Sequence, residues 1–413
     1  MKLKINFKCI ILLISAFLLI LFAALILIVS ISSKKPVAAF YGISERNQKQ
    51  IVSVLQTTHT RKNKKSLPFE IVSLDSSISL ERVLKKSKKP DLLFIEGGLN
   101  KDYAEKLSEK KSGGISVSLL NGMTSSIKQL VEEKKQKIYS VPLLIDNYEL
   151  DVNLEKFYAS NIKQLNVLSD LEKLAKVTKS STPSPIVFAG ADDERLINFF
   201  GALIEAVSGS ETLNSARTKI SNKIAEGKVS QNDFYDLLTG LTGSKGELND
   251  TFKILKNWQN QGLLPKNITS ITTKDITAFL QADLSTAAFM TLSDHREIER
   301  DIISNYSSVY YPAIQQNVPR SFTSPVIFAV PLSKDKVSQK AVYKLSDELQ
   351  TKLSAATGLA PVQANCPVPD VQADNVRYWV AASGTPVTPF AQSLFVSKQQ
   401  QNSFAEALRS LLR

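Results

Sequence analysis

The sequence predicts an α/β fold of more than one domain, carried behind an N-terminal transmembrane helix. Three features predict it: an apolar run near the N-terminus, short apolar runs alternating with amphipathic stretches, and an extended segment broken by a proline. The length permits this reading, since 413 residues exceed one ordinary core and suit two or three domains. With 43% hydrophobic and 22% charged residues, a disordered chain is excluded.

Residues 10–31 are apolar except for Ser15 and Ser30. At ~1.5 Å per residue the run reaches about 33 Å, enough for a bilayer core. Lys2, Lys4 and Lys8 precede it, which keeps the N-terminus inside and sends the rest out. The run is longer than the usual apolar core of a cleaved signal, so an uncleaved anchor is favoured over cleavage after Ser32. No cysteine follows it, so lipid attachment of the usual kind has no acceptor. The two cysteines, Cys9 and Cys366, lie far apart and form no metal spacing.

The net charge of +12 is unevenly placed. Residues 33–142 hold 21 Lys+Arg against 11 Asp+Glu, whereas residues 143–413 hold 27 against 28. The basic surface therefore lies beside the membrane, either as a solvated face or as an attraction for anionic headgroups. Outside the cytoplasm nucleic acid is not an expected partner, despite the basic run Arg61-Lys62-Asn63-Lys64-Lys65.

Along the chain, "VAAFYG" reads as a buried strand and is followed by helical spacing at Ile51, Val54 and Leu55. "FEIVSL" and "DLLFIEGG" read as further strands, with "LERVLKK" and "NKDYAEKLSEK" as helices. "ISVSLL" reads as a strand and "SIKQLVEE" as a helix. This alternation predicts a mainly parallel sheet, whose ligands gather beyond the carboxyl ends of the strands. Next comes "YSVPLLIDNYELDVNLEKF". Pro142 cannot donate to a ladder, so the strand is expected to end there or lie at an edge. "YELDVN" then resumes with period two, as a chain passing from one sheet into another would.

Beyond it, Ser169 and Glu172 read as a capping box ahead of Leu171, Leu174 and Val177. "PIVFAG" is a strand, and a long apolar helix follows, ending at Gly209. "TFKILKNWQNQG" is amphipathic, with Phe252, Leu255 and Trp258 on one face and Gly262 closing it. "SPVIFAVP" is a strand, followed by two more helices. "GLAPVQANCPVPDV" reads as a surface connector, and "VRYWVAA" as a helix or strand.

Taken in order, these pieces resemble the extracellular solute-binding proteins of ABC importers, sugar-type (family 1) class. "VPLLIDNYELDVN" resembles the family's crossover strand, and "SDLEKLAKV" its next helix. "FKILKNWQNQGLLPKN" resembles the middle of its second lobe, "FLQADLSTAAFM" its helix-to-strand stretch, "AVPLSKD" its return segment and "ATGLAPV" its later turn. Two features depart from the family: Val152 stands where a Tyr usually precedes the Asn, and "RSFTSPVIFAV" replaces a glycine-rich return. The resemblance implies a two-lobed periplasmic-binding-protein-like fold with hinge strands. It implies a segment 1–35 as anchor, residues 36–143 plus 313–347 as lobe 1, and residues 144–312 plus 348–413 as lobe 2. Pro142 then marks the hinge.

A sugar cleft needs flat apolar faces and planar polar groups for paired hydroxyl bonds. The ligand-binding candidates at the strand ends are Tyr41, Glu45, Glu96 and Gly97. Asp146 just past the hinge proline and Asp192 at a helix start join them, although turn formation and capping explain both without function. Phe289, Phe322 and Trp379 are candidate rings for the cleft, although core packing is the favoured reading of each, and Ser324 is a candidate hydroxyl. No catalytic residue, cofactor or metal is expected, because His59 and His295 are far apart and no nucleophile elbow, phosphate loop or zinc-protease helix occurs. The expected function is a membrane-tethered extracytoplasmic receptor, with its globular part periplasmic or at the cell surface. It would capture a small polar solute, a saccharide among them, for ABC permease subunits. The alternative is a sensor or scaffold with an altered cleft that binds a protein partner.

Overall fold

A computed structural model describes residues 35–57, 68–86, 89–315, 322–383 and 386–413. The anchor expected at residues 10–31, together with His59 and the basic run after it, lies outside the described residues. Among the described residues no helix is long and apolar enough to cross a membrane.

In chain order the strands that build the site are β1 (Val37–Tyr41), β2 (Glu70–Ser73), β3 (Leu92–Glu96), β4 (Val141–Ile145), β5 (Tyr148–Asn153), β6 (Ile186–Phe188), β7 (Ala287–Thr291), β8 (Tyr306–Val309), β9 (Val326–Pro331) and β10 (Ala360–Pro361). Among the helices are α1 (Glu45–Thr57), α2 (Leu80–Lys86), α3 (Leu99–Lys111), α4 (Leu168–Thr178), α5 (Asp193–Ala225), α6 (Leu292–Glu297), α7 (Val371–Ala382), α8 (Phe390–Leu394) and α9 (Lys398–Leu412).

Two main sheets form, beside two short two-stranded pairs. The first runs β10-β4-β9-β3-β1-β2, and the second β8-β5-β7-β6. In the first, β1 pairs in parallel with β2 and β3, but β9 runs antiparallel to both β3 and β4. The sheet is therefore mixed, not mainly parallel, because β9 returns from the second lobe against the direction of its neighbours. The five residues of β1 are all buried, as expected for a strand covered on both faces. Phe40 and Phe94 stack across it with centroids 4.8 Å apart.

Pro142 does not end its strand. β4 continues to Ile145 and is an interior strand. The proline is accommodated by a register shift between Ile327 and Phe328 of β9, and on the other side β10 pairs only with Leu144 and Ile145. Its missing N–H therefore interrupts no regular ladder. The crossing between sheets comes later, at Asp146–Asn147, between the end of β4 and the start of β5.

Alternation in β5 then decides its packing. Tyr148, Leu150 and Val152 enter the apolar core of the second lobe, while Glu149, Asp151 and Asn153 are buried on the opposite side. That second core centres on Phe188, Phe199, Trp258 and Phe289, and also takes up Phe390, Phe404 and Leu408 from the C-terminal helices. The first core holds the strands of the first sheet together with Leu353, Leu359, Ala360, Val376 and Val380. Here the expected boundary needs correction. Residues 349–380 pack with the first lobe, because β10 adds to its sheet and the apolar face of α7 lies on that core. The stretch read as a surface connector thus contributes a strand and the buried Leu359 and Val362.

Two helix ends also differ from expectation. α4 begins at Leu168, with the Asp170 carboxylate accepting the Val167 amide, so Ser169 is inside the helix. α5 is broken at Gly209, whose φ of 84° only glycine adopts readily.

Candidate functional site

The carboxyl ends of β1 and β3 point at the second lobe and meet the N-terminus of α5 and the short helix α8. Tyr41, Gly42, Glu96, Gly97 and Gly98 from the first lobe, with Glu194 and Gln392 from the second, enclose a cavity of about 130 Å³. Gly98 makes this approach possible. A Cβ there would stand 2.4 Å from the Gln392 carbonyl oxygen, and its φ of 138° already disfavours a side chain. Two backbone-linked contacts hold the same edge: Asn100 donates to the Val396 carbonyl at 3.3 Å, and the Lys398 amide to the Ser77 carbonyl at 3.3 Å.

The centre of the cleft is a chain of acidic groups around Arg195. The Gln392 amide donates to Glu96 Oε2 and Glu194 Oε1, each at 2.9 Å, and so bridges the lobes. Arg195 binds Asp294 through Nε and Nη2, both at 2.8 Å, in the two-pronged geometry that suits guanidinium and carboxylate. Asp146 accepts from the Ser293 amide at 2.8 Å and its hydroxyl at 2.6 Å, which pins the crossing to α6. Burial pushes Glu96 up to about 8, reinforced by Glu194 and Asp146. Burial likewise raises Asp146 to about 6, against the lowering effect of its Ser293 bonds. Burial opposes the charge on Arg195, but Asp294, Glu194, Asp146 and Glu96 outweigh it and hold the guanidinium firmly protonated.

The structure distributes the sequence candidates unevenly. Tyr41, Glu96 and Gly97 line the cavity. The Tyr41 hydroxyl is already committed to the Ile78 carbonyl at 2.8 Å, and burial with the nearby Asp75 pushes the phenol up to about 12. Asp146 lies at the crossing, in the same electrostatic cluster. Ser324 donates to Asn147 Oδ1 at 3.1 Å and borders a smaller cavity of about 40 Å³ beyond Gly98.

The other candidates sit elsewhere. Glu45 is exposed and pairs with Lys49 one turn on, at 2.7 Å. Asp192 accepts from the Thr273 amide and hydroxyl, so it ties the start of α5 to the neighbouring helix start. Phe289 is 1% exposed and packed among Tyr311, Phe199 and Trp258, at centroid distances of 4.9, 5.2 and 6.2 Å. Trp379 packs on Tyr310 at 5.6 Å, against the first-lobe core. Phe322 has its backbone in a short strand paired with Pro386, and its side chain lies outside the described residues.

Sequence reasoning missed Arg195, Asp294 and Gln392; Gly98 and Glu194 lie in the stretches Glu96-Gly97-Gly98 and Asp192-Asp193-Glu194 that it singled out, but were not chosen as candidates. The acidic start of α5 was visible in the sequence, but the choice within it went to Asp192. Helical rotation carries Glu194, two residues on, into the cleft instead. Nothing local singles out Gln392.

A search of protein-family models and of curated proteins finds no match to this chain. Solved structures do match. The bacterial solute receptor AcbH, described with a preference for β-D-galactopyranose, superposes with a TM-score of 0.63 at 12% identity, covering 92% of this chain and 99% of its own. The fold is that of bacterial solute receptors. RafE in complex with raffinose gives a TM-score of 0.63 at 14% identity over 91% and 98% of the two chains. A sugar transporter of Bacillus licheniformis, solved in complex with stachyose, gives 0.60 at 12% identity over 91% and 97%. At these identities the likeness establishes the fold, and the cleft chemistry has to be argued from this chain's own residues.

Proposed function

We propose that the protein is an extracytoplasmic receptor that captures a small hydroxyl-rich solute, a saccharide, between its lobes and presents it to an ABC permease. One observation carries this reading. The cleft holds two carboxyl groups from opposite lobes, Glu96 and Glu194, whose oxygens both accept from a single donor, the Gln392 amide. A sugar hydroxyl is a donor of the same kind, and a ring carrying several can serve both acceptors at once. Ligand binding would then favour closure, because only the closed form brings both acceptors to one ring. The cavity of about 130 Å³ is close to the roughly 150 Å³ that takes up a single six-membered ring such as benzene. It is well below the roughly 300–1,000 Å³ of drug-sized sites. A hexose has twice the non-hydrogen atoms of benzene, so even a monosaccharide would require the lobes to part somewhat from this conformation. The structural neighbours named above are binding proteins, and no covalent step is invoked here.

The same reading places the anchor at residues 10–31 in the membrane. The described chain enters the first lobe at Val37, whose amide is held by Asp91 Oδ2 at 2.9 Å. Asp91, Lys85, Lys89 and Lys111 border a cavity of about 530 Å³ at this end. A lysine-rich surface where the tether joins the lobe supports contact with anionic headgroups.

Thermal shift of the purified protein against a carbohydrate panel tests the proposal. A saccharide at about 100 times its Kd raises stability by about 2.7 kcal/mol, and Glu194→Gln should abolish the shift. A second reading, a sensor or scaffold that binds a protein partner, draws on the fact that Gln392 already satisfies both acceptors. It gains ground if no solute shifts the midpoint while a protein partner is captured.

A further inference from the structure

The strand that crosses between the lobes carries a second cluster of chemistry, outside the cleft just described. Glu149 and Asp151 stand two residues apart on β5 and share its polar side. Both are fully buried. His295, on α6 after the neighbouring strand β7, is 5% exposed and directs Nδ1 at them, 2.8 Å from Asp151 Oδ1 and 3.9 Å from Glu149 Oε1. One nitrogen and two carboxylate oxygens from the three side chains all fall within 4.8 Å of one another.

Ordinary packing does not account for this group. Two carboxylates removed from water need compensation by paired charge and hydrogen bonds. Yet Glu149 Oε2 and Asp151 Oδ2 are buried without a hydrogen-bond partner. Ser308 lies directly across the ladder from Asp151, with its Oγ buried and near enough to Glu149 to favour the charged carboxylate. The first lobe supplies only an amide: Gln372 Nε2 donates to Glu149 Oε1 at 2.5 Å and sits 3.4 Å from His295 Nδ1. Arg296, next to His295, is turned away to Asp370 at 2.6 Å. At hydrogen-bond range the acidic pair meets one imidazole and one neutral amide, while the Ser308 hydroxyl and the more distant Arg296 charge also favour the ionised Glu149.

We propose that Glu149, Asp151 and His295 bind a divalent transition cation, zinc by preference, with Gln372 as the outer residue that closes the site. Two carboxylates balance a dication, and a neutral imidazole completes a three-residue donor set. An imidazole with carboxylates selects a borderline cation over calcium or magnesium, which prefer oxygen alone. Tetrahedral bonds of about 2.0–2.1 Å place neighbouring donor atoms about 3.3 Å apart. The observed 2.8 and 3.9 Å bracket that separation, so small side-chain adjustments suffice. On binding, Nδ1 presents its lone pair and any proton there is released to solvent or carried on Nε2. Gln372 is half-buried on α7, which belongs to the first lobe, so entry requires only that this amide swing aside. The site joins β5 and α6 to α7 and so spans the crossing; a bound ion would brace the two lobes there. The sequence offered no such reading because its histidines are far apart, and the fold instead unites one of them with alternate residues of a single strand.

The test uses the full chain in detergent, stripped with chelator and titrated with zinc chloride. Isothermal titration and metal analysis after gel filtration should show one zinc per chain and a raised melting midpoint. Cobalt substituted for zinc should give the visible absorption of a nitrogen–oxygen site, which magnesium and calcium fail to displace. His295→Gln should remove that spectrum. If that variant does not fold, Gln372→Ala, on a half-exposed helix face, should weaken zinc binding about tenfold or more. Absence of retained zinc in the wild-type chain overturns the proposal. Zinc binding left unchanged by both substitutions overturns it too, since the ion would then lie elsewhere.

Discussion

Replacing Glu96 with Gln tests the electrostatics of the cleft most directly. The carboxylate is raised from 4.5 to about 8 by burial, then by Glu194 and Asp146. A folded-state value above the unfolded one means that the folded protein holds this proton more tightly. The stabilisation is complete below about pH 4.5 and is lost as pH rises towards 8. At about 1.4 kcal/mol per unit, the whole shift sets a ceiling of about 5 kcal/mol, and pocket solvent around this partly open side chain reduces it. Asp146 is raised only to about 6, so the upper part of the window belongs mainly to Glu96. Glu149, raised by burial and by Asp151, is common to both proteins and cancels in their difference. Urea unfolding of wild type and Glu96→Gln at closely spaced pH values measures the effect. Between about pH 6 and 8 the wild type should lose stability more steeply than the variant, the difference in slope approaching one proton. Parallel curves would refute the claim that Glu96 is protonated in the folded cleft.

Three further outcomes follow from the geometry. Gly98→Ala places a methyl 2.4 Å from the Gln392 carbonyl, so it should part the lobes at α8 and cost about 1–3 kcal/mol. A larger radius of gyration by X-ray scattering would accompany it, and an unchanged radius with unchanged stability would contradict the contact. Arg195→Met strips the guanidinium that pairs with Asp294 and should destabilise by about 3–5 kcal/mol; a loss within experimental error in chemical denaturation would show that the cluster is solvated. Phe289→Ala should cost about 3–5 kcal/mol as a core deletion while leaving solute affinity intact in whatever remains folded. Lost affinity at unchanged stability would return Phe289 to the cleft.

The sequence by itself determined the local grammar. Alternating apolar and amphipathic runs placed most strands and helices, and period two in "YELDVN" settled which side chains of β5 face a core. The strand-end rule led to Tyr41, Glu96 and Gly97, because a glycine pair after a buried strand is a local signal. Tertiary structure decided the rest. Pro142 looked like a terminus, yet a register shift in β9 absorbs it and moves the crossing to Asp146. Residues 349–380 carry no mark of their lobe, and only pairing with β4 assigns them to the first. Glu194 reaches the cavity by helix phase, and Gln392 reaches it from 198 residues further along the chain. His295 meets Asp151 across 144 residues. Periodicity reports which face of an element is buried. It does not report which distant element covers that face, since this depends on how the two lobes close, and closure brings together side chains that share no neighbourhood in the chain.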